Sequence, residues 1–296
     1  QMVIIVVGLL IITWMVADQA GGVITVVEHA AANDKFDFWP AFSAPELLAF
    51  VAAWITMGFG SIPQQDVFQR VNSARTENGA ANGTIFGGVA YLLFAAVPLF
   101  LAYSATLIDP QMVESLIEQD PEQILPSLIY QHLPLYAQVI FYGALLSVIM
   151  STASGTLLAP SATIAENVIK NLLPTMEDRH FLRMTRIVVV CFAVLVTIYA
   201  LSTAATIHHM VENAYKVTLV SAFIPLVAGI YWKRATTQGA IFAIVLGIGS
   251  WLLMEIFLPE GDSMWPPQLV GLLFSAVGMV LGSLALQRFG REAAAA

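Results

Sequence analysis

Long apolar stretches separated by polar connections dominate the chain, and in residues 1–17, 83–107 and 239–257 they are apolar almost all the way round a helical wheel. A helix on a soluble core keeps one polar face, whereas a run of about 20 apolar residues matches the hydrocarbon thickness of a bilayer. The pattern predicts an all-α integral membrane protein. Its eight transmembrane helices fall at 1–17, 45–62, 83–107, 137–169, 182–201, 210–232, 239–257 and 268–286. Strands of a membrane barrel would alternate in segments of roughly ten residues, and no such alternation recurs.

The charges on the connections agree with that count. Alternate connections carry Arg70 and Arg75, then Lys170, Arg179, Arg183 and Arg186, then Lys233 and Arg234, then Arg288 and Arg291. The others hold Lys35 as their one Lys or Arg, among Asp18, Glu28, Asp34, Asp37, Asp109, Glu114, Glu118, Asp120, Glu122, Glu260 and Asp262. By the positive-inside rule the first set is cytoplasmic and both termini lie inside, as in a multi-pass protein of the plasma (inner) membrane. The outer connection 108–136 contains Pro110, Pro121, Pro126 and Pro134 and an amphipathic stretch, which predicts short helices over the outer face, able to act as a lid.

Composition narrows the chemistry. At 58% hydrophobic and 11% charged, the 296 residues supply too little polar surface for a water-soluble globule. The net charge of -8, with no basic tract, excludes nucleic acid as a partner. The single cysteine, Cys191, excludes an internal disulfide and any multi-cysteine metal site. Gln1 opens directly inside an apolar run, so the chain is expected to be the rear part of a longer protein.

Ionisable groups within the apolar segments are few. Lys216 follows Glu212 by four residues, a spacing that favours an ion pair on one helix face; Lys216 either snorkels to the interface or serves a site. His208 and Glu212, with His209 beside them, are one turn apart but lack the order of a zinc hydrolase motif. The helix 137–169 concentrates hydroxyls at Ser147, Ser151, Thr152, Ser154, Thr156, Ser161 and Thr163. Such oxygens suit a hard monovalent cation, or with Gly155 they serve close helix packing. The helix 45–62 runs into Met57-Gly58-Phe59-Gly60-Ser61-Ile62-Pro63, where glycine, serine and proline free backbone groups, either as a ligand site or as a plain kink.

Three stretches carry a resemblance: GSIPQQDVFQRVNSA from Gly60, IMSTASGTLLAPSATIAENV from Ile149 and PLVAGIYWKRATTQGA from Pro225. In order and topology they are similar to the sodium:solute symporter family, over essentially the whole chain. The resemblance implies a LeuT-type fold of two inverted five-helix repeats: residues 1–18 would be the last helix of the first repeat, 45–232 the second repeat, and 239–296 two peripheral helices and a short cytoplasmic tail. It implies Na+ bound by the hydroxyls of Ser151 and Thr152 with the carbonyl of Val148. The substrate would meet Ala53, Thr56, Met57 and Ser61, and the helix that carries Lys216.

The substrate positions depart from two branches of the family. Sugar transporters would have Asn, Tyr and Trp at Ala53, Thr56 and Met57, and the proline branch Trp at Met57 and Tyr at Ser61. The segment from Gly60 to Val71 is most similar to the choline-transporter-like branch, although Ser154 stands where that branch tends to have Asp. The implied function is sodium-coupled import of a small organic solute by alternating access, without covalent chemistry and in concert with an absent N-terminal half. Two other classes stay open: a transporter-like membrane sensor that binds the solute without moving it, and a membrane hydrolase on His208, His209 and Glu212.

Overall fold

The structure is a computed structural model that describes residues 2–173, 177–203, 205–258 and 264–287. Gln1, Glu260, Asp262, Arg288 and Arg291 lie outside the described residues, as does the end of the tail expected to be cytoplasmic. Among the described residues every regular element is helical, and each of the eight apolar segments contains a helix. Six helical stretches are long and apolar enough to cross a bilayer: Glu77–Ile108, Leu135–Leu172, Asp178–Ser202, Ile207–Tyr231, Thr237–Phe257 and Pro267–Leu284.

The first two apolar segments differ in detail. Helix α1 (Met2–Gln19) is followed by α2 (Val23–Ala32), bent from it by 73°. The bend is made by Gly21 and Gly22 at φ of 84° and 106°, in the left-handed region where a side chain is strained. Helix α3 (Ala44–Gly60) has 17 residues, a rise of about 25 Å against roughly 30 Å of hydrocarbon. Its end is set by the Gly60-Ser61-Ile62-Pro63 turn, after which α4 (Gln65–Asn72) begins.

Helix α5 (Glu77–Ile108) starts where the Thr76 hydroxyl accepts the Gly79 N–H and stops at Asp109, which caps α6 (Pro110–Ile117). A short 3-10 turn leads into α7 (Ile124–His132), α8 (Leu135–Ile164) and a π-turn at Ala165–Ile169 that runs into α9 (Lys170–Leu172). Beyond α10 (Asp178–Ser202), α11 (Ile207–Thr218) and α12 (Ile224–Tyr231) form one span, interrupted by a π-turn at Leu219–Phe223. Pro225 stands two residues beyond that turn, and its missing N–H and its ring, which crowds the carbonyl four residues earlier, account for the widened helix. Helices α13 (Thr237–Phe257) and α14 (Pro267–Leu284) complete the order.

The chain divides into two compact units, each assembled from separated segments: Gln1–Asp37 with Val71–Thr206, and Phe38–Arg70 with Ile207–Ala296. In the first, Ile12 and Val16 of α1, Leu101 and Ala105 of α5, Met112 and Val113 of α6, Leu128 and Ile129 of α7, and Ala137 and Phe141 of α8 form one buried cluster. The short helices α6 and α7 therefore supply four of these ten core residues. Their register is fixed by polar contacts: Gln19 Nε2 donates to the His132 carbonyl at 2.8 Å, and the His132 ring lies 3.1 Å from Asp109 Oδ2.

Asp109 gives this unit a pH dependence. The Met112 N–H donating to Oδ1, and then the His132 ring, hold its carboxyl below the usual carboxylate range. A depressed carboxyl contributes stability that is present above the unfolded value of about 4 and is lost as pH falls through the folded one. Asp109→Asn keeps an acceptor for Met112 but not the charge. Melting curves should give it a lower Tm than wild type at about pH 7 and a smaller decline between about pH 5 and pH 2; equal declines would remove Asp109 as a source of the acid sensitivity.

In the second unit α13 and α14 pack through glycines. A Cβ on Gly278 would meet the Phe242 carbonyl, and one on Gly282 the Cα of Gly239 at 2.8 Å, the small-residue contact by which helices approach closely in lipid. Gln238 Nε2 bridges the two helices by donating to the carbonyls of Gly282 and Leu286, each at 3.2 Å. Val220 of the second π-turn seats against this pair, its carbonyl facing Gly247 and its Cγ1 facing Gly271.

Candidate functional site

The four positions expected to meet a substrate lie on α3 and its exit turn, but on two faces. Ala52, Thr56 and Gly60, four residues apart, are buried. Gly60 sets the direction of that face, because its Cα approaches the Tyr215 carbonyl of α11 so closely that no Cβ fits. Thr218 Oγ1 donates to the Gly60 carbonyl at 2.6 Å, satisfying a group freed by the end of the helix. Thr56 thus faces α11, and its hydroxyl is buried without a hydrogen-bond partner among the described residues.

Ala53 and Met57 occupy the other, open face. Ser61 is half-buried in the exit turn, and its hydroxyl donates to the Gly58 carbonyl at 2.8 Å. The interruption expected from the glycines and proline is present, with Gln64 N–H returning to the Ser61 carbonyl at 3.3 Å. Phe59 stacks on Phe223 of the second π-turn, ring centres 4.8 Å apart and 7° from parallel. Both flank the exit.

Lys216 does not snorkel. Its side chain is 4% exposed and its ammonium lies 3.3 Å from Glu212 Oε1, while the other oxygen of Glu212 lies 3.6 Å from His209 Nδ1. His208 and His209 meet edge to face at 5.9 Å. Among the described residues no three His, Cys, Asp or Glu side chains come together as a metal site, so His208, His209 and Glu212 do not make a zinc centre.

The proposed sodium ligands lie in the other unit, on one turn of α8. Val148, Ser151 and Thr152, spaced i, i+3 and i+4, share a side of the helix, and all three are exposed. The helix is regular here; irregularity comes later, at the Ala165–Ile169 π-turn. In a regular helix the carbonyl of 148 accepts the N–H of 152 and keeps a second lone pair. Further along the helix two hydroxyls are spent on its own backbone: Thr156 donates to the Thr152 carbonyl at 2.9 Å, and Ser161 to that of Leu157 at 2.7 Å. The Ser151 and Thr152 hydroxyls make no hydrogen bond among the described residues. Two uncommitted hydroxyls and the second lone pair of a carbonyl on one turn suit a hard monovalent cation, which takes oxygen ligands without needing a carboxylate.

Sequence reasoning missed one cluster. Phe38, Trp39, Phe50 and Trp54 pack ring against ring at the start of α3, with centres 5.2 to 6.1 Å apart. The aromatic pair at 50 and 54, one turn apart below an adjacent Phe-Trp, was its signal in the sequence.

These features define a multi-pass α-helical membrane protein with an interrupted helix, a buried ion pair and a turn of free hydroxyls. A family model described as "Sodium:solute symporter family" matches residues 1–247, and the chain belongs to that family. Its relatives include the high-affinity choline transporter 1 of Caenorhabditis elegans, 27% identical over 69% of this chain and 37% of that protein. The sodium/proline symporter of Haemophilus influenzae is 26% identical over 88% of this chain and 52% of its own length. For the sodium/pantothenate symporter of Escherichia coli the figures are 26%, 83% and 51%. The chain thus spans between about a third and a half of the length of these curated relatives.

Proposed function

We propose that the chain is the rear part of a sodium-coupled symporter of the plasma (inner) membrane, which imports a small organic solute by alternating access. On this reading residues 1–18 end the first repeat of a LeuT-type fold, 45–232 form the second, and 239–296 are peripheral, giving eight spans. The observation that carries the reading is the turn of α8 on which the adjacent Ser151 and Thr152 hydroxyls are uncommitted beside the Val148 carbonyl, whereas those of Thr156 and Ser161 donate to their own helix.

Val148, Ser151 and Thr152 would hold Na+ together with oxygens from helices outside this chain. Bound sodium supplies a positive charge whose gradient drives the cycle. The ligands on α8 favour the conformation in which they and their partners converge, and a cation shifts the population only by binding that state better. Thr56, Met57 and Ala53, with Ser61 at the exit turn, would line the solute path where α3 gives out and α11 widens, since interrupted helices present backbone groups to ligand at membrane depth.

The test is uptake by the full-length protein in proteoliposomes, with and without an inward sodium gradient, across choline, betaine, amino acids, monocarboxylates and sugars. Sodium-dependent uptake of one class is expected. Sodium-linked binding without uptake would favour the sensor, and uptake indifferent to sodium would reject the coupling.

A further inference from the structure

In the long apolar stretches Glu166 pairs with Lys170 and Glu212 with Lys216. Glu255 is the other carboxylate that stands beyond the first turn of one of these six stretches, and it makes no ion pair among the described residues. Its Oε2 is buried there without a hydrogen-bond partner. Gln268 Oε1, in a residue 4% exposed, and Trp251 Nε1 share that state. Buried polar groups are nearly always paired, so each of these atoms asks for an explanation, and an ionisable group in a membrane helix marks function by default.

The packing of α13 on α14 brings the three to one end of one seam. The helices run antiparallel in a register marked turn by turn: Gly239 at Gly282, Phe242 at Gly278, Gly247 at Ser275, and Trp251 at Gly271, where a Cβ would lie 2.8 Å from that of the tryptophan. One further turn sets Glu255 opposite Pro267 and Gln268, with Trp251 one turn before it on the same face. The start of α14 does little for the carboxylate. Pro266 and Pro267 have no N–H, and the N–H groups of Leu269 and Val270 return to the Pro266 carbonyl. The elements packed on α13, namely α12, α14 and the Leu219–Phe223 π-turn, contain no Lys, Arg or His, and neither does the connection 258–266.

We infer that this end of the α13–α14 seam is a cation site, in which Glu255 Oε2 and Gln268 Oε1 hold a small, dehydrated monovalent ion of the size of Na+. Both ligands are hard oxygens, which suit an alkali ion and not a soft transition metal. One carboxylate balances one positive charge, so a divalent ion would leave a net charge in the apolar layer. Both oxygens are turned into the seam and away from water, a place open to a bare ion but not to a lysine or arginine side chain from another helix. Glu255 as a whole is half-buried, so the ion has a way in past the carboxylate. Trp251 has a donor and no acceptor, so it is no ligand; its N–H is available to hold the carboxylate in place. The site shares no residue with the turn of α8 and stands or falls independently of it.

The test is equilibrium binding of radiolabelled sodium to the purified full-length protein at constant ionic strength, in wild type and in a Thr152→Ala background that weakens the α8 site. In both, Glu255→Gln is expected to bind one ion fewer. Gln268→Met, which keeps the volume but not the oxygen, should raise the sodium concentration that half-fills this site by about 10-fold or more, as loss of a contact to a charge does. Ser275→Ala removes another buried hydroxyl of α14, two turns deeper at Gly247, and should move binding by less than about 2-fold. Sodium binding that Glu255→Gln leaves unchanged would overturn the inference; joined to a lower Tm of that variant, it would give the carboxylate to a cationic side chain outside this chain. Equal losses in Glu255→Gln and Ser275→Ala would mark a packing defect and overturn it too. If Thr152→Ala binds like wild type while Glu255→Gln still loses an ion, the α8 ligands fail and this site stands. Should Glu255→Gln fail to fold, Gln268→Met decides: unchanged half-saturation rejects the site.

Discussion

On the proposed symport, Thr152→Ala in the full-length protein is expected to raise the sodium concentration for half-maximal uptake by roughly 10- to 100-fold. An oxygen on a cation is comparable to a hydrogen bond with a charged partner, about 1.5–3 kcal/mol, and every 1.4 kcal/mol or so is a factor of ten. The hydroxyl is available for this role because it is exposed and uncommitted, unlike that of Thr156, which donates to the Thr152 and Ala153 carbonyls. Thr156→Ala is therefore the internal control, with a shift under about 2-fold. Ser151→Ala should resemble Thr152→Ala, since both residues lie within a turn of Val148. Sodium titrations of uptake read all three; equal small shifts would reject Thr152 as a ligand.

The sequence made some of this legible, and the reason differs from one feature to the next. Apolar runs predict helices well because lipid demands that backbone groups be satisfied within the segment, and all eight runs are helical. The periodicity of α3 could place Ala52, Thr56 and Gly60 on one face, but not say which face packs. That depends on the Tyr215 carbonyl, more than 150 residues away in sequence. Lys216 posed the same problem: a long aliphatic stem permits either snorkelling or burial, and only the packing around α11 decides. Helix α2 was not anticipated, because its polar positions at Glu28 and His29 resemble those of a loop. The helices of the outer connection were expected, but their place in a buried core was not, since Met112, Val113, Leu128 and Ile129 are scattered among prolines and acids and gain their meaning from α1, α5 and α8.

The exit of α3 yields the second large effect, and the structure moves it from one glycine to another. On sequence alone Gly58 is as good a candidate as Gly60 for the position where a side chain would crowd the break. A Cβ at Gly58 has nothing within 4 Å among the described residues, whereas one at Gly60 would run into the Tyr215 carbonyl and come within 3.0 Å of its carbon. That obstacle is backbone and cannot turn aside as a side chain would. Overpacking of this kind costs about 1–3 kcal/mol where neighbours yield, and more where they do not. Separating α3 from α11 would also break the 2.6 Å bond from Thr218 to the Gly60 carbonyl, and a backbone acceptor left unpaired in a low-dielectric setting costs about 1–3 kcal/mol further. Gly60→Leu should therefore abolish solute binding and lower the Tm of the detergent-solubilised full-length protein, and Gly60→Ala should do so in part. Gly58→Leu should melt close to wild type, because its cost inside this chain is helix stiffening alone, and leucine is the better helix former. A thermal melt and a binding isotherm on the three variants separate the positions: a larger loss at Gly58 than at Gly60 would mean that the crowding at the break comes from helices outside this chain, not from α11.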